Sequence, residues 1–528
     1  MSAETKVTYV SLASSPEFHE AFERALEEVE AGFGGLHPCS IGGQPSATGT
    51  THEVRSPIDR RVLLGTVEQA AAGEAAHAVE LADEAFPAWR RLGWRRRVAV
   101  LRRAADVIAE RKLALAALMA WEVGKNRIEA MAEVEEAADL LRYYCDQMER
   151  NDGYRMPMAR VAPDEATESV CLPYGVWGVI SPFNFPTALA AGMIAGALVT
   201  GNTVVLKPSQ DAPLSGALLC RALWDGGVPR DVVHLVMGGG EEVGEAILGH
   251  PLTQGMAFTG SWEVGMRIQR TFSRAWPKPV VVEMGGKNPT VVTAAADLDA
   301  AATAVARAAF GFGGQKCSAC SRAYVEHAVA DDFTERLLSA AAALTVGNPL
   351  GRDVFLGPLI HQRAVDSFTR YVAGVRAAGG EILTGGNVLT DSDLAHGHYV
   401  EPTVATLPDP SHPYFTEEMF VPLLLVHPVA DLDEGLALCN HAPYGLTAGL
   451  FSRDPGEVER FLEGIEAGVT YINRKSGSTT GAWPGVNPFG GWKASGGTGP
   501  AALGPNYLLK FLREQSRTLS NVAVRNDC

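Results

Sequence analysis

Apolar residues along this chain change their spacing near residue 177. Between residues 70 and 147 they fall on helix faces: Ala76, Val79, Leu81, Ala85 and Phe86 form one set, and Leu101, Ala104, Ala105, Ile108 and Leu113 another. Gly124 and Lys125 interrupt that run, and a further helix is expected over 127–148. The first 30 residues also read as a polar, helical stretch, most clearly over 16–29. From Trp177 onward, short apolar runs alternate with helical ones. Strands are expected at Val179-Ile180, Val204-Val205-Leu206, 232–236, 255–258 and Val280-Val281-Val282. Helices are expected between them, at 188–198, 214–224 and from Ser261 to about Ala275. Strands alternating with helices of this length predict βαβ units and a doubly wound parallel sheet. A second α/β pattern begins after Gly286, with helices over Leu298–Phe310, 333–344 and 360–378 and a late strand ending at Tyr471-Ile472-Asn473. The apolar segment 507–512 shows no local partner in the sequence, and a neighbouring subunit's sheet edge is the expected one.

Length and charge narrow the class. The 528 residues suggest about three domains. The chain is 46% hydrophobic and 20% charged, enough to bury large cores. A formal charge of −16 argues against nucleic acid as partner. The one dense basic run, Arg95-Arg96-Arg97, reads as a solvated helix face. Residues 1–6 lack a charged-then-apolar signal pattern, and the longest apolar stretch is too short for a bilayer. Eight cysteines do not make a disulfide scaffold. A cytoplasmic protein without a resident metal is expected.

Several short segments carry chemistry. Gly238-Gly239-Gly240 through Gly244, and Thr259-Gly260-Ser261 through Gly265, each follow a strand and open a helix, the arrangement that presents free N–H groups to a pyrophosphate. Lys207 ends a strand, where open α/β sheets bind ligands; an ordinary surface lysine is the other reading. Cys317 follows Gly313-Gly314-Gln315-Lys316. It reads as an exposed thiol on a sharp turn, as a small buried hydrophobe, or as half of a C-x-x-C pair with Cys320. Glu283 ends a buried strand, where desolvation suits a general base, unless it pairs with Lys287. Asn184, between aromatic residues and prolines, is a turn former or an oxyanion donor.

Taken together these segments resemble the NAD(P)-dependent aldehyde dehydrogenase superfamily. The resemblance rests on Pro182-Phe183-Asn184-Phe185-Pro186, Lys207-Pro208-Ser209, Phe258-Thr259-Gly260-Ser261, Glu283-Met284-Gly285-Gly286-Lys287-Asn288-Pro289, Gly314-Gln315-Lys316-Cys317, Glu417-Glu418-Met419-Phe420, Tyr444-Gly445-Leu446-Thr447 and Pro488-Phe489-Gly490-Gly491. They stand in family order across roughly residues 50–515, with 34 residues from Glu283 to Cys317 and 133 from Asn184 to Cys317. Within the superfamily the chain is most similar to the glutamate γ-semialdehyde (1-pyrroline-5-carboxylate) dehydrogenases. Ser318 after the thiol, Asn473-Arg474-Lys475 before Thr480-Gly481-Ala482, and Gly504-Pro505-Asn506-Tyr507-Leu508 carry that likeness.

The resemblance implies an aldehyde dehydrogenase fold. A Rossmann-like cofactor domain would comprise 1–148 and 173–285, an α/β catalytic domain 286–490, and an oligomerisation element 149–172 with 491–528, in a homodimer or larger homo-oligomer. It implies Cys317 as nucleophile, Glu283 as base and Asn184 as oxyanion donor in the oxidation of glutamate γ-semialdehyde to glutamate through a thioester. For NAD it implies Lys207 and Glu418 at the two riboses and Ser261 at the pyrophosphate, with Ser209, Gln210, Gly240, Gly244, Gly260, Val264 and Phe420 completing the site. Ser318, Gly481 and Ala482 would hold the substrate carboxylate as a neutral anion site, and Phe185 and Phe489 would line the aldehyde tunnel. The chain departs from the family pattern in a longer stretch between Lys475 and Thr480, in Trp483-Pro484, in Val421, and in Gln210, which stands where many NAD enzymes carry an acid. Gln210 leaves NADP open as a cofactor. The departures also leave open a different aldehyde, a semialdehyde or an aromatic one, on the same catalytic set.

Overall fold

The structure is a computed structural model that describes residues 16–46 and 48–520. Residues 1–15, which open the range expected to bind cofactor and include the segment without a signal pattern, lie outside the described residues. So do residues 521–528 of the expected oligomerisation element.

Two seven-stranded sheets form the framework. The first runs in the order Val280–Glu283, Thr253–Thr259, Val176–Ile180, Thr203–Lys207, Val233–Leu235, Cys39–Ile41, Gln44–Ser46. Its first five strands are parallel, and the two N-terminal strands extend it antiparallel. The chain lays down Val176–Ile180, Thr203–Lys207 and Val233–Leu235 in one direction. It then crosses to the far side of Val176–Ile180 for the remaining two strands. That reversal opens a crevice beyond the strands' C-terminal ends, the place where open α/β sheets take ligands. The register sets those ends level: Ile180 lies opposite both Lys207 and Phe258, and Thr259 opposite Glu283.

The second sheet runs Glu381–Thr384, Thr403–Thr406, Leu423–Val429, Cys320–Glu326, Asn288–Val292, Thr447–Phe451, Val469–Ile472, parallel except for its first strand. Only residues 284–287 separate the end of the first sheet at Glu283 from the start of the second at Asn288. C-terminal strand ends of one sheet therefore meet N-terminal strand ends of the other. A third, three-stranded antiparallel sheet pairs Leu512–Ser520 with Glu165–Pro173, and the latter with Arg155–Pro157.

The helix Ala188–Thr200 is buried on nearly every face, which explains an apolar run with no amphipathic stripe. Two expectations fail around it. Arg97 is not a solvated cation: it is 5% exposed. Its guanidinium donates to the carbonyls of Val199 (3.1 Å), Thr200 (3.4 Å) and Arg90 (3.1 Å), at the C-terminal ends of two helices where orphan carbonyls collect. The segment 507–512 does not need another subunit. Phe511 packs on Trp177 with ring centroids 4.5 Å apart, and Tyr507 stacks on Tyr144 at 5.2 Å. Gly196 makes room for this docking, since a Cβ there would stand 2.6 Å from the Phe511 ring. Among the described residues no helix is long and apolar enough to cross a membrane.

Candidate active site

The crevice between the sheets is a cleft of about 1100 Å³. Its lining includes Asn184, Lys207, Ser209, Gln210, Gly240, Gly244, Gly260, Ser261, Val264, Glu418, Phe420 and Cys317, so most of the expected cofactor set and the thiol share one space. Lys207 is buried, not on the surface. Its ammonium donates to Pro208 O (3.0 Å), and burial pulls its pKa down to about 8. Glu418 accepts the Gly286 N–H (2.9 Å), and burial raises its pKa to about 7. Gly285 leaves room for this carboxylate: a Cβ would stand 2.1 Å from it and would push the Glu418 side chain aside.

The two glycine turns differ. Ser261 caps the helix Trp262–Phe272, accepting the Val264 N–H at 3.4 Å, and this helix N-terminus lines the cleft through Ser261, Glu263 and Val264. Gly240–Gly244 is a wide π-type turn before the short helix Glu245–Gly249, and its Val243 and Gly244 N–H groups bond back to Gly239 O. A Cβ on Gly240 would meet nothing within 4 Å, so space remains for a ligand's backbone-side approach. A long cleft with a helix N-terminus, one buried lysine and one buried carboxylate has the donor and acceptor set that a dinucleotide requires.

Cys317 sits on the turn that enters the strand Cys320–Glu326. Asn288 fixes this turn by donating to Cys317 O (2.7 Å) and Ala319 O (2.9 Å). Gly286 must lack a side chain, since a Cβ would lie 2.3 Å from Cys317 O. Burial, with the Glu418 and Glu283 carboxylates nearby, raises the Cys317 pKa to about 12. The resting group is therefore a thiol that needs a base. Cys320 is inside the strand, its thiol 3.2 Å from the Thr290 hydroxyl, and both cysteines are free. Asn184 is buried and donates one amide hydrogen to Gln315 O (3.0 Å), which orients the carboxamide and leaves its second hydrogen for the cleft.

Glu283 faces a third cavity of about 30 Å³, with Thr259, Met193 and Tyr144 in its wall. Its carboxylate accepts the Gly491 N–H (3.3 Å) and is raised by burial to about 7. Lys510 is the cation beside it, so the Glu283–Lys287 pair is not formed. Lys287 is itself buried, its ammonium without a hydrogen-bond partner among the described residues.

A second cavity of about 330 Å³ takes Ser318, Gly481 and Phe185. It is not neutral: Arg307, Lys316, Arg352 and Arg474 also line it. Phe489 and Ala482 pack instead against the main core. Trp483 is buried, its indole donating to Asp139 at 2.9 Å, so it closes against the helix Arg127–Arg150 and not into the cavity.

These geometries occur in a chain whose residues 44–516 match the aldehyde dehydrogenase family. The chain belongs to that family. Its relatives include a 1-pyrroline-5-carboxylate dehydrogenase of Geobacillus sp. (strain WCH70), 38% identical over 95% of this chain and 96% of the relative. A crystal structure of 1-pyrroline-5-carboxylate dehydrogenase from Thermus with bound NAD superposes with a TM-score of 0.92 at 36% identity, covering 98% of this chain and all of that one. Betaine aldehyde dehydrogenase from Staphylococcus aureus, in complex with NAD+, gives 0.88 at 28% identity over 96% of this chain and 99% of that one.

This aldehyde dehydrogenase also has a buried ionic lattice that sequence reading passed over. Lys125, read only as a helix break, pairs with Glu133, and its ammonium lies 3.6 Å from the centre of the Phe185 ring. Glu133 also accepts the N–H groups of Thr187 (2.8 Å) and Ala188 (3.1 Å), capping the central helix. Lys316, next to the thiol, pairs with Glu129. The available signal was the spacing of Glu129, Glu133 and Glu136, one face of a helix that begins beside a lone lysine.

Proposed function

We propose that this chain oxidises L-glutamate γ-semialdehyde, the open form of 1-pyrroline-5-carboxylate, to L-glutamate with NAD. The observation that carries the reading is the junction at Cys317 and Ser318. The thiol faces the cofactor cleft while the next residue faces a separate polar cavity, in a chain 38% identical over 95% of its length to a 1-pyrroline-5-carboxylate dehydrogenase.

In this reading the Cys317 sulfur attacks the aldehyde carbon, and its proton passes to a base. Glu283, at about 7, is partly ionised near neutrality and meets that need. The resulting oxyanion is held by the free N–H of Asn184 and the Cys317 N–H. Bound NAD supplies the acceptor for the hydride. Lys207, Glu418, the Ser261 helix and the small residues at 240, 244 and 260 hold the cofactor, with Ser209, Gln210, Val264 and Phe420 completing its walls. Glu283 passes the thiol's proton on to solvent and, ionised again, takes a proton from the water that cleaves the thioester. Ser318, Gly481 and the main-chain N–H of Ala482 hold the substrate's far end; Phe185 flanks its path, and Phe489, packed on the main core, backs it from behind.

The same reading assigns the first sheet to cofactor binding, the second to catalysis and the three-stranded sheet to a homo-oligomer contact. The Leu512–Ser520 strand supports that contact, because it is an exposed sheet edge. A thiol that must stay reduced supports a cytoplasmic location. The test is NADH formation with glutamate γ-semialdehyde, succinate semialdehyde and benzaldehyde in parallel. The reading expects the first to give the highest kcat/KM, and a preference for benzaldehyde would overturn it.

A further inference from the structure

The substrate cavity carries excess positive charge inside a chain of net charge −16. Four cationic side chains, Arg307, Lys316, Arg352 and Arg474, stand against two carboxylates, Glu129 and Asp353. Two of the four cations are neutralised locally. Lys316 pairs with Glu129, and Arg352 reaches out of the cavity to Glu23 at 2.8 Å. Arg307 lies over the Phe355 ring, 5.4 Å from its centre.

Arg474 has no ion pair among the described residues. Its guanidinium stacks on Tyr471 at 4.7 Å, and one terminal N–H donates to Gly481 O at 2.6 Å. Its Nε is buried without a hydrogen-bond partner among the described residues. A planar five-donor group held on one side and unsatisfied on another is suited to a carboxylate. Gly481 is built around it: φ is +98°, and a Cβ there would stand 2.6 Å from the guanidinium. A trans peptide points its carbonyl and its following N–H in opposite directions. Drawing Gly481 O toward Arg474 therefore turns the Ala482 N–H away from it.

We propose that Arg474 is a specificity-determining residue, which sets the Gly481-Ala482 peptide and contributes an unpaired cation, beside that of Arg307, that selects aldehydes bearing a carboxylate at their far end. The inference deepens the functional reading above and rests on it. A neutral anchor of hydroxyl and N–H groups binds an anion at short range only. An added guanidinium in a partly buried cavity also attracts it before contact.

The test uses the full-length enzyme and the variants Arg474→Met and Arg474→Lys, with glutamate γ-semialdehyde and hexanal as substrates. For Arg474→Met we expect kcat/KM for glutamate γ-semialdehyde to fall about 10- to 100-fold, mainly through KM, and that for hexanal to fall about threefold or less. Inhibition by the product glutamate should weaken in step. Arg474→Lys keeps the charge but loses the fork, and should lie between the two. Equal losses on both aldehydes would make Arg474 a loop support and overturn the proposal, as would a Met variant with unaltered KM. Wild-type enzyme inactive on glutamate γ-semialdehyde would bring down the functional reading. The Arg474 proposal would then stand or fall on the same contrast between succinate semialdehyde and hexanal.

Discussion

The large cleft and the smaller cavity are faced by consecutive residues, Cys317 and Ser318, yet they are built in opposite ways. The cleft gathers the ends of parallel strands from one sheet, with glycines and a helix N-terminus exposing backbone. The cavity gathers side chains from segments as distant as Asn126 and Gly481, and its character comes from charged groups. One region reads a ligand through main-chain geometry that many sequences can supply. The other reads it through particular side chains. Substitutions in the first should move all aldehydes together, and substitutions in the second should separate one aldehyde from another.

The largest effect is expected at the junction. Cys317→Ala should abolish oxidation of every aldehyde while NAD binding, followed by fluorescence or calorimetry, stays close to wild type. Cys320→Ala should retain most activity, because its thiol is tied to Thr290 inside a strand. Equal loss in both variants would replace the nucleophile assignment with a dithiol one.

Glu283→Gln should come next. Its steady-state rate should fall about 10²- to 10⁴-fold while a burst of NADH close to one per active site survives, since thioester hydrolysis depends most on the base. The pH dependence has a definite sign. Burial raises the Glu283 pKa to about 7, so the carboxylate gains a proton as pH falls through that value, and wild-type turnover should decline below it. The Gln variant should lack that limb. A variant with no burst would show that the first half-reaction depends on Glu283 as strictly as thioester hydrolysis does.

The same contrast decides what the sequence disclosed. The cleft was legible as a place in the fold because its parts are local: Lys207 at a strand end and Thr259-Gly260-Ser261 before a helix both line it. Parallel strands buried on both faces also announce themselves as continuous apolar runs, as Val204-Val205-Leu206 does. The N-terminal strands Cys39–Ile41 and Gln44–Ser46 were missed, since three residues carry no periodicity. Arg97 and the segment 507–512 were misplaced for a shared reason. The Val199 and Thr200 carbonyls that hold Arg97, and the aromatic partners of the segment 507–512, lie about 100 or more residues away, and no local window contains both sides. The ionic lattice of Lys125, Glu133, Lys316 and Glu129 escaped because buried pairs are defined by packing, not by spacing alone.

Ser318→Ala probes the cavity with a smaller effect. Ser318 is buried, and its carbonyl is held by the Thr479 hydroxyl at 2.7 Å, so the turn should survive loss of the side chain. Removing one donor to a charged acceptor costs about 1.5–3 kcal/mol, roughly 10- to 150-fold in kcat/KM for glutamate γ-semialdehyde. Hexanal, with no carboxylate, should lose much less. Parallel losses would mean that the hydroxyl supports the Cys317 turn and does not touch substrate.

The smallest effect is expected on the cofactor side, at Gln210. This exposed residue lines the cleft, and its amide nitrogen lies 3.8 Å from where a Cβ on Gly239 would stand. A neutral amide neither repels a 2′-phosphate nor offers a carboxylate to a ribose diol. Gln210→Glu should therefore raise the NAD over NADP ratio of kcat/KM by about 3- to 10-fold, mostly by raising KM for NADP. The charge is solvated, so the gain should shrink at about 1 M salt, where the screening length is about 3 Å. The shift should be the same with glutamate γ-semialdehyde and with hexanal, since the cleft does not sense the aldehyde's far end. A ratio that moves with one aldehyde and not the other would show that the two regions are energetically coupled through the Cys317 turn. A ratio that does not move at all would place the adenosine ribose away from Gln210.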